Sequence, residues 1–322
     1  MHRAHFVAAA RTQPVESIVY GLESFVRWYV AILYHLLRAI GRLPLPALHR
    51  IGAALGWVLL HTPNPVRRKA EANLSIVITQ LHGESRHQLL KSAMYEAGKS
   101  LFEVCKVWSG TVESAQLLVR EVRGLELLDQ AIASRRGMIF AAPHLGCWEL
   151  LSYWVCKRTP LAIVYRPPRQ PALEPLLLRA RQGATAVEQV PAEGTVGVRK
   201  LFKRLIDGGV VGILPDQQPK QGDGVFAPFF GTPALTMVLL SRLAQRTGAT
   251  VLFAFAERLP RGAGYRLHIL PAPSGIDDPH LPTAVAALNR GVETCVRLAP
   301  AQYQWHYKRY SIRPPGESKP LY

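Results

Sequence analysis

The sequence predicts an α/β protein, a mostly parallel central sheet flanked by helices, with a helical region at its N-terminus. Two patterns indicate this fold. From about residue 117 onward, short apolar runs alternate with segments whose apolar residues recur at helical spacing, which is typical of βαβ units around a parallel sheet. Before that point, helical spacing dominates. We therefore expect three parts: N-terminal helices in residues 1–62, a helical segment in 63–116 and an α/β domain in 117–322.

The elements of the α/β domain follow from the same periodicities. Strands are predicted at residues 138–142, 161–165, 210–214 and 251–256, with an antiparallel edge strand at 265–270. Helices are predicted at residues 125–134, 148–156, 174–181, 198–206, 235–245 and 281–298. Two further helices, at residues 66–81 and 84–108, precede the sheet.

The N-terminal helices have the composition of a membrane-associating region. Residues 25–40 are apolar and aromatic at helical spacing, but basic side chains interrupt them. This run is shorter than the roughly 20 residues of a clean membrane span, so an interfacial helix or a short anchor is favoured. A second apolar stretch, at 51–60, is followed by basic residues at 67–69, which would suit an anionic leaflet. The alternative is that both stretches are packing helices of a soluble domain.

The overall charge points to an anionic partner. Lys and Arg outnumber Asp and Glu, 39 to 22, for a formal net charge of +17 and a pI near 10.1. Nucleic acid, an acidic membrane surface and an acidic protein all remain open on this ground. Hydrophobic residues make up 48% of the chain, enough for a sizeable core.

The sequence gives no sign of a cofactor or metal. Its four cysteines form no CxxC pair and no zinc spacing, which indicates a reducing compartment or inert core thiols. No GxGxxG or Walker loop is present, so nucleotide binding is not supported. We expect no cofactor and no metal ion.

The strongest candidate for chemistry is the stretch 141–150, where a predicted strand gives way to a helix. It places His144 and Glu149 in a His-x4-Glu pattern. An imidazole can take a proton near neutral pH, and a carboxylate beside it can fix its tautomer. Pro143 would end the strand, and Gly146 would allow a close backbone approach. The alternative is a core or capping histidine beside a first-turn acid.

Three further clusters follow strand ends, where α/β sheets place ligands. They are Arg166 after one strand, the stretch from Asp216 to the 228–234 loop after another, and a basic, aromatic segment at 302–310. Each cluster also has a purely structural alternative. Arg166 could form a surface ion pair, and the second cluster could be a turn acid at Asp216 and a packing hairpin at 228–234. The 302–310 segment could be a solvated basic tail. Their predicted position at the same sheet edge as His144 favours a common site.

Five motifs, in order, resemble a known family. They are Ala-Pro-His-Leu-Gly-Cys-Trp-Glu at 142–149, Tyr-Arg-Pro at 165–167, Val-Gly-Ile-Leu-Pro-Asp-Gln at 211–217, Pro-Phe-Phe-Gly-Thr-Pro-Ala at 228–234 and Gln-Tyr-Gln-Trp-His-Tyr-Lys-Arg-Tyr at 302–310. Together they resemble the late acyltransferases of lipid A biosynthesis, within the lysophospholipid acyltransferase group and its His-x4-Asp/Glu motif. The resemblance covers nearly the whole chain.

The resemblance implies an enzyme of the bacterial inner membrane with its acyltransferase domain on the cytoplasmic face. It would move a fatty acyl chain from acyl carrier protein to a hydroxyl of a lipid A precursor, with no nucleic-acid partner. His144 would be the general base and Glu149 its orienting carboxylate. The resemblance implies substrate-binding roles for Arg166, Asp216, Phe230, Gly231, Thr232, Lys308 and Arg309.

Three alternatives remain at this point. The first concerns mechanism: Cys147, between His144 and Glu149, could form a covalent acyl intermediate instead of permitting direct attack by the acceptor hydroxyl. The second is a lysophospholipid or glycerophospholipid acyltransferase that shares the His144 chemistry. The third is a basic membrane- or nucleic-acid-binding protein without catalysis, which would leave His144, Arg166 and Asp216 without a role.

Overall fold

The fold is taken from a computed structural model that describes residues 15–81, 85–165, 174, 187–191, 194–317 and 321–322, with side chains described from residue 28 onward. Among the described residues, the helices are α1 (Val15–Gly41), α2 (Leu45–His61), α3 (Pro65–Val77), α4 (Arg86–Ser109), α5 (Val112–Leu118), α6 (Leu125–Ser134), α7 (Trp148–Val155), α8 (Gly194–Ile206), α9 (Leu239–Thr247) and α10 (Leu281–Leu298). Short 3-10 turns lie at Ile78–Gln80, Pro260–Gly262 and Pro300–Gln302.

The strands form a mostly parallel sheet and a separate hairpin. They are β1 (Val119–Arg123), β2 (Met138–Ala141), β3 (Leu161–Tyr165), β4 (Val187–Pro191), β5 (Val210–Ile213), β6 (Gly224–Phe229), β7 (Thr232–Met237), β8 (Thr250–Arg258) and β9 (Tyr265–Pro271). The seven-stranded sheet has the order β1-β9-β8-β2-β5-β3-β4, and β6 pairs with β7. Among the described strands of the large sheet, β8 and β9 are the one pair that runs antiparallel. The predicted α/β fold is confirmed.

The sheet separates two hydrophobic cores, because successive side chains of a strand point to opposite faces. β2 is buried along its whole length: Ile139 packs in one core and Phe140 in the other. The first core includes residues of α3, α4, α9 and α10. The second includes residues of α6 and α7. Helices on both faces are what a parallel sheet buried on both sides requires.

A close glycine contact fixes the N-terminal helices to the rest of the protein. Gly52 and Gly56 of α2 cross Gly98 of α4, and a Cβ on Gly98 would lie 2.1 Å from the carbonyl oxygen of Gly52. A side chain at any of these three positions would force the helices apart. One face of α2 is therefore held against α4, and the opposite face carries exposed apolar side chains, among them Ile51, Trp57 and Val58.

No single helix among the described residues is long and apolar enough to cross a membrane. The segments Trp28–Gly41 and Leu45–His61 meet the length and composition criteria only jointly, as a pair bent by 114°. The bend falls where Pro44 precedes α2, as expected for a residue that cannot continue a helix.

The structure corrects two of the predicted elements and adds four strands. Residues 235–237 belong to β7 instead of the predicted helix, which begins at Leu239. The strand at Tyr265–Pro271 is antiparallel to β8 as predicted, but it is not at the edge, because β1 pairs with its other side. The strands β1, β4, β6 and β7 were not predicted. The predicted helix at 174–181 lies outside the described residues except for Glu174.

Candidate active site

His144 lies in a loop at the carboxyl end of β2, between that strand and the N-terminus of α7. The loop is fixed on both sides by main-chain contacts. The Cys147 N–H donates to the Ala256 carbonyl of β8, and Gly146 has a positive φ of 61°. A Cβ at Gly146 would lie 2.0 Å from the Ala256 carbonyl oxygen, so only glycine fits this approach.

Asp216 lies just beyond the carboxyl end of β5, the strand next to β2. Its Oδ1 is 2.8 Å from the Nδ1 of His144, and its Oδ2 accepts the backbone N–H of His144 at 2.9 Å. Both carboxylate oxygens thus hold the same residue. The sequence predicted that His144 and Asp216 share a sheet edge, and the structure brings them into direct contact.

The hydrogen bonds define which imidazole nitrogen is free to act. Asp216 can only accept a hydrogen bond, so the His144 Nδ1 carries the proton. On the other side of the ring, the Gln217 side-chain nitrogen lies 3.1 Å from Nε2 and also donates to the Gln304 Oε1 at 3.4 Å. The neutral ring therefore presents the Nε2 lone pair as its acceptor, the form that a general base needs.

The Asp216 carboxylate is held in its charged form. Burial alone would raise its pKa, but the neighbouring His144 and the two hydrogen bonds from His144 outweigh burial and place the pKa below its usual value. Tyr303 is also buried nearby, and the pKa of its hydroxyl is raised by burial and by Asp216. A charged, immobile carboxylate is suited to stabilise an imidazolium.

A late segment of the chain completes the His144 loop. Tyr303 forms a β-bridge with Leu145, and the Gln304 N–H donates to the His144 carbonyl at 3.1 Å. The side chain of Gln302 bonds the backbone N–H and carbonyl of Arg258 in β8. We call residues 302–304 the C-terminal strap. The predicted proximity of the 302–310 segment to His144 is therefore confirmed for this part.

Arg258 connects the strap to the N-terminal helices. Its side chain is buried and donates to both carboxylate oxygens of Glu103 and to Glu96, both on α4. His49 of α2 contacts Glu103 at 2.6 Å. Burial raises the pKa of Glu103, but Arg258 and His49 more than offset it and lower the pKa to about 2. This ion network joins α2 and α4 to the edge of the sheet that carries the site.

A cavity of about 760 Å³ opens beside His144. Its walls come mainly from one face of the sheet and from α7, and most of the side chains are apolar. The register aligns Met138 and Phe140 of β2 with Val210 and Gly212 of β5. Just beyond β2, the Ala142 N–H donates to the Ile213 carbonyl at 2.9 Å. The cavity is lined by Phe140 and Ala142 on the β2 side and by Gly212 and Leu214 on the β5 side.

The cavity runs along the strands, from their carboxyl ends near His144 towards their amino ends. Leu161, at the start of β3, lines it and is level with Val210 of β5. Ala142 lies four residues beyond Met138, which pairs with Val210. At the rise of a strand, this is a distance of about 13 Å. Gly212 lies midway, and a Cβ there would be 3.3 Å from Ile163. We call this mostly apolar cavity, which is lined by residues from the level of Leu161 to His144, the slot.

Glu149 lies in the first turn of α7 and lines the same cavity. Its Oε2 accepts the indole N–H of Trp108 at 3.0 Å. The sequence predicted Glu149 as the orienting carboxylate of His144, whereas the carboxylate at the Nδ1 of His144 is Asp216. Glu149 keeps a place in the site, and its contribution to catalysis stays a prediction.

The alternative of a covalent intermediate on Cys147 is disfavoured by its surroundings. The side chain is 4% exposed, and burial, followed by Glu103, raises the pKa of its thiol well above its usual value. Because the thiolate is the nucleophile, such a thiol is unreactive. Cys147 packs in the core that contains α6 and α7.

The 228–234 motif forms the turn of the β6–β7 hairpin. Phe230 is 2% exposed, packs near Trp305 and donates its backbone N–H to Glu293. Its predicted contact with substrate is therefore corrected to a role in the core. Gly231 and Thr232 lie in the same turn and are not among the residues that line the cavity.

Arg309 and Lys308, predicted to bind substrate, differ in environment. Arg309 is 3% exposed and donates to the Leu235 carbonyl, the Thr236 hydroxyl and the Asn289 side chain. It holds the hairpin to α10, which corrects the prediction. Lys308 is exposed, and its role stays a prediction. Arg166 lies outside the described residues.

Sequence reasoning did not assign roles to Gln217 or Tyr303, which flank the His144–Asp216 pair. Both stand in quoted motifs, so their position was a signal, but only the fold shows their contacts. Among the described residues, no group of three or more His, Cys, Asp or Glu side chains is placed to hold a metal ion.

The profile of the bacterial lipid A biosynthesis acyltransferase family matches residues 20–311. The chain belongs to this family. Similar proteins include the lipid A biosynthesis lauroyltransferase of Escherichia coli strain K12, 27% identical over 90% of this chain and 93% of the relative. The palmitoleoyltransferase of the same strain is 29% identical over 86% of this chain and 89% of the relative.

A more distant similarity marks the breadth of this acyltransferase group. The phosphatidylinositol mannoside acyltransferase of Mycobacterium tuberculosis is 30% identical over 48% of this chain and 49% of its own length. The names of these relatives differ in acyl chain and acceptor, while the lipid A acyltransferase profile covers both the His144 loop and the C-terminal strap.

Proposed function

We propose that this lipid A biosynthesis acyltransferase moves a fatty acyl chain from acyl carrier protein to a hydroxyl of a lipid A precursor, with His144 as general base. The observation that carries the proposal is the position of His144, fixed by Asp216, in the wall of a mostly apolar cavity. A base next to a slot shaped for an alkyl chain suits transfer of an acyl group to a hydroxyl.

The reaction follows from the protonation state of the pair. The Nε2 of His144 takes the proton of the acceptor hydroxyl while the oxygen attacks the thioester carbonyl. Asp216 stabilises the imidazolium that forms, as its charge and two hydrogen bonds allow. The tetrahedral intermediate then collapses, the carbon–sulfur bond breaks, and the carrier thiolate takes the proton from Nε2, which returns His144 to its neutral form. For the hydroxyl to reach Nε2, the Gln217 amide has to move aside or share the position.

The acyl chain of the donor occupies the slot between the sheet and α7. Burying an alkyl chain there gains about 0.8 kcal/mol per methylene, so the slot selects the chain by its length. Gly212 keeps the middle of the slot open, and the floor lies at the level of Leu161. Apolar side chains make up most of the cavity wall, and its polar lining residues include Glu149, Ser152 and Gln217.

The charge of the protein suits both substrates and a place at the bacterial inner membrane, with the α/β domain on its cytoplasmic face. A net charge of +17 attracts an acidic carrier protein and a phosphorylated glycolipid. The exposed apolar side chains of α1 and α2, among them Trp28, Ile32 and Trp57, would lie at the bilayer interface, where tryptophan is enriched.

The test is acyl transfer by the purified full-length protein. The protein is incubated with a lipid A precursor and either acyl-acyl carrier protein or acyl-CoA, and the lipid products are weighed by mass spectrometry. We expect a mass gain of one acyl chain with the carrier-protein donor. His144→Ala should abolish it, whereas His280→Ala, an exposed histidine beside α10, should not.

Each alternative outcome has a clear meaning. Equal use of acyl-CoA would contradict the donor assignment. Transfer to a lysophosphatidate acceptor and none to the lipid A precursor would assign the protein to glycerophospholipid acylation. A His144→Ala protein that retains full activity would refute the mechanism.

A further inference from the structure

A second cavity, of about 880 Å³, lies between α2, α3 and α4. The acyl slot is lined by residues 140–239, whereas this cavity is lined by residues 57–95. Its walls are rich in basic and aromatic side chains, listed here: Trp57, His61, Arg67, Arg86, His87, Lys91 and Tyr95. One carboxylate, Glu71, lies among them.

The charge in this cavity is only partly compensated. Arg67 donates to Glu71 at 2.9 Å and to the Leu60 carbonyl at 2.8 Å. In the part of the chain that the structure describes, neither Arg86 nor Lys91 has a carboxylate partner. Two guanidinium groups, one ammonium group and a single carboxylate leave an excess of positive charge that an anion would neutralise.

Some of these basic residues lie at the N-termini of their helices, where a positive charge destabilises the helix. Arg86 and His87 are in the first turn of α4, which contains no acidic residue, and Arg67 is in the first turn of α3, which also contains none. The helix dipole places partial positive charge at each N-terminus, so cations there are unfavourable. A bound anion in the cavity would reverse this effect at both helices.

The cavity adjoins the exposed apolar face of α2. Trp57 lines the cavity, is 52% exposed, and stacks near His61 with the ring centres 4.5 Å apart. Ile51 and Val58 continue the same exposed face along α2. A ligand with a phosphate and alkyl chains would match this pair of surfaces, with its phosphate in the cavity and its chains beside α2.

We propose that the cavity between α2, α3 and α4 binds the phosphate of an anionic phospholipid headgroup at the bilayer surface. Basic pockets between helices at a membrane surface are a known form of headgroup recognition. The cavity is larger than a phosphate ion requires and accommodates a glycerophosphate headgroup. This site is separate from the acyl transfer reaction, and it would position the protein on an anionic leaflet.

The experiment measures binding of the full-length protein to vesicles of pure phosphatidylcholine and to vesicles that also contain phosphatidylglycerol. The double variant Arg86→Gln/Lys91→Gln should bind the anionic vesicles about thirtyfold more weakly, since each basic residue near the surface contributes about fivefold. The matched variant Arg242→Gln/Arg246→Gln removes two exposed arginines of α9 and should retain wild-type affinity.

A second measurement reports on the cavity itself. Brominated phosphatidylglycerol should quench the tryptophan fluorescence of the wild-type protein more than that of Trp57→Phe. Circular dichroism and thermal unfolding check that each variant is folded, and the cavity residues that are changed are exposed, so folding should be unaffected.

Four results would overturn the proposal. The first is equal binding of the wild type to both kinds of vesicle, and the second is equal weakening of binding by the α4 and α9 double variants. The third is equal quenching of the fluorescence of the wild type and of Trp57→Phe. The fourth is displacement of the protein from anionic vesicles by inorganic phosphate at constant ionic strength. The last would mark a site for free phosphate. Displacement by a lipid A precursor that depends on Arg86 and Lys91 would assign the cavity to the acceptor, and would also contradict the proposal.

Discussion

Replacing Asp216 by asparagine tests the central contact of the site. The substitution keeps the size of the side chain but turns one of its two acceptor oxygens into a donor. In the native site, one oxygen accepts from the His144 Nδ1 at 2.8 Å and the other from the His144 backbone N–H at 2.9 Å. Asparagine can satisfy only one of these donors.

Both orientations of the new amide impair the base. If its oxygen keeps Nδ1, the amide N–H faces the backbone N–H of His144, at a cost of about 1–3 kcal/mol in stability. If the amide turns, Nδ1 must accept, the ring proton moves to Nε2, and Nε2 can no longer take a proton. The charge that stabilises the imidazolium is lost in either case. A wrong tautomer of this kind lowers kcat by about 10⁴ in the serine protease triad.

We therefore expect kcat of Asp216→Asn to fall by about 10³ to 10⁴, with a smaller change in KM, because the substrates still bind. The assay is the mass-spectrometric transfer reaction under saturating donor and acceptor, with thermal unfolding to confirm that the variant is folded. A folded Asp216→Asn protein within tenfold of wild-type kcat would refute the pairing of Asp216 with the catalytic base.

Three further predictions concern the cavity, the motif carboxylate and stability. Gly212→Val should shift donor preference to shorter acyl chains, measured by competition between donors, because the side chain would fill the middle of the slot; an unchanged preference would place the chain elsewhere. Glu149→Ala should abolish transfer, and Glu149→Gln should restore it only if hydrogen bonding, such as that to Trp108, is its main role. The free energy of unfolding, measured with urea, should fall by up to roughly 3 kcal/mol between about pH 5 and pH 2. Glu103 causes this fall, because its pKa is about 2 in the folded protein and 4.5 ordinarily. Glu103→Gln should flatten the fall, and an unchanged slope in that variant would contradict the prediction.

The order of strands and helices could be predicted because apolar periodicity is a local signal. The helix at Leu125–Ser134 and the helix at Leu281–Leu298 match their predictions at both ends. The β6–β7 hairpin could not be predicted in the same way. The apolar run around residues 234–239 serves first as a strand and then as a helix, and a short run carries no period that separates the two.

The candidate site was likewise predictable only in part. The sequence located His144, because a histidine between a strand and a helix is visible in the chain. The partner of the imidazole was not visible, because Asp216 is 72 residues away and reaches His144 only through the pairing of β2 with β5. Arg309 illustrates the opposite error. It was predicted to bind substrate because it is a basic residue among aromatic residues in the sequence, but its side chain is buried in the fold.

The C-terminal strap has a consequence for the synthesis of the protein. The loop that carries His144 leaves the ribosome long before Gln302, Tyr303 and Gln304 are made, and these residues supply several of its main-chain partners. At the usual rate of translation the delay is on the order of 10 s. A nascent chain can therefore pair its strands early while its base still lacks a fixed position. The His144 loop gains these contacts only after residues 302–304 have been made, so a nascent chain that stops short of them lacks part of what holds the loop in place.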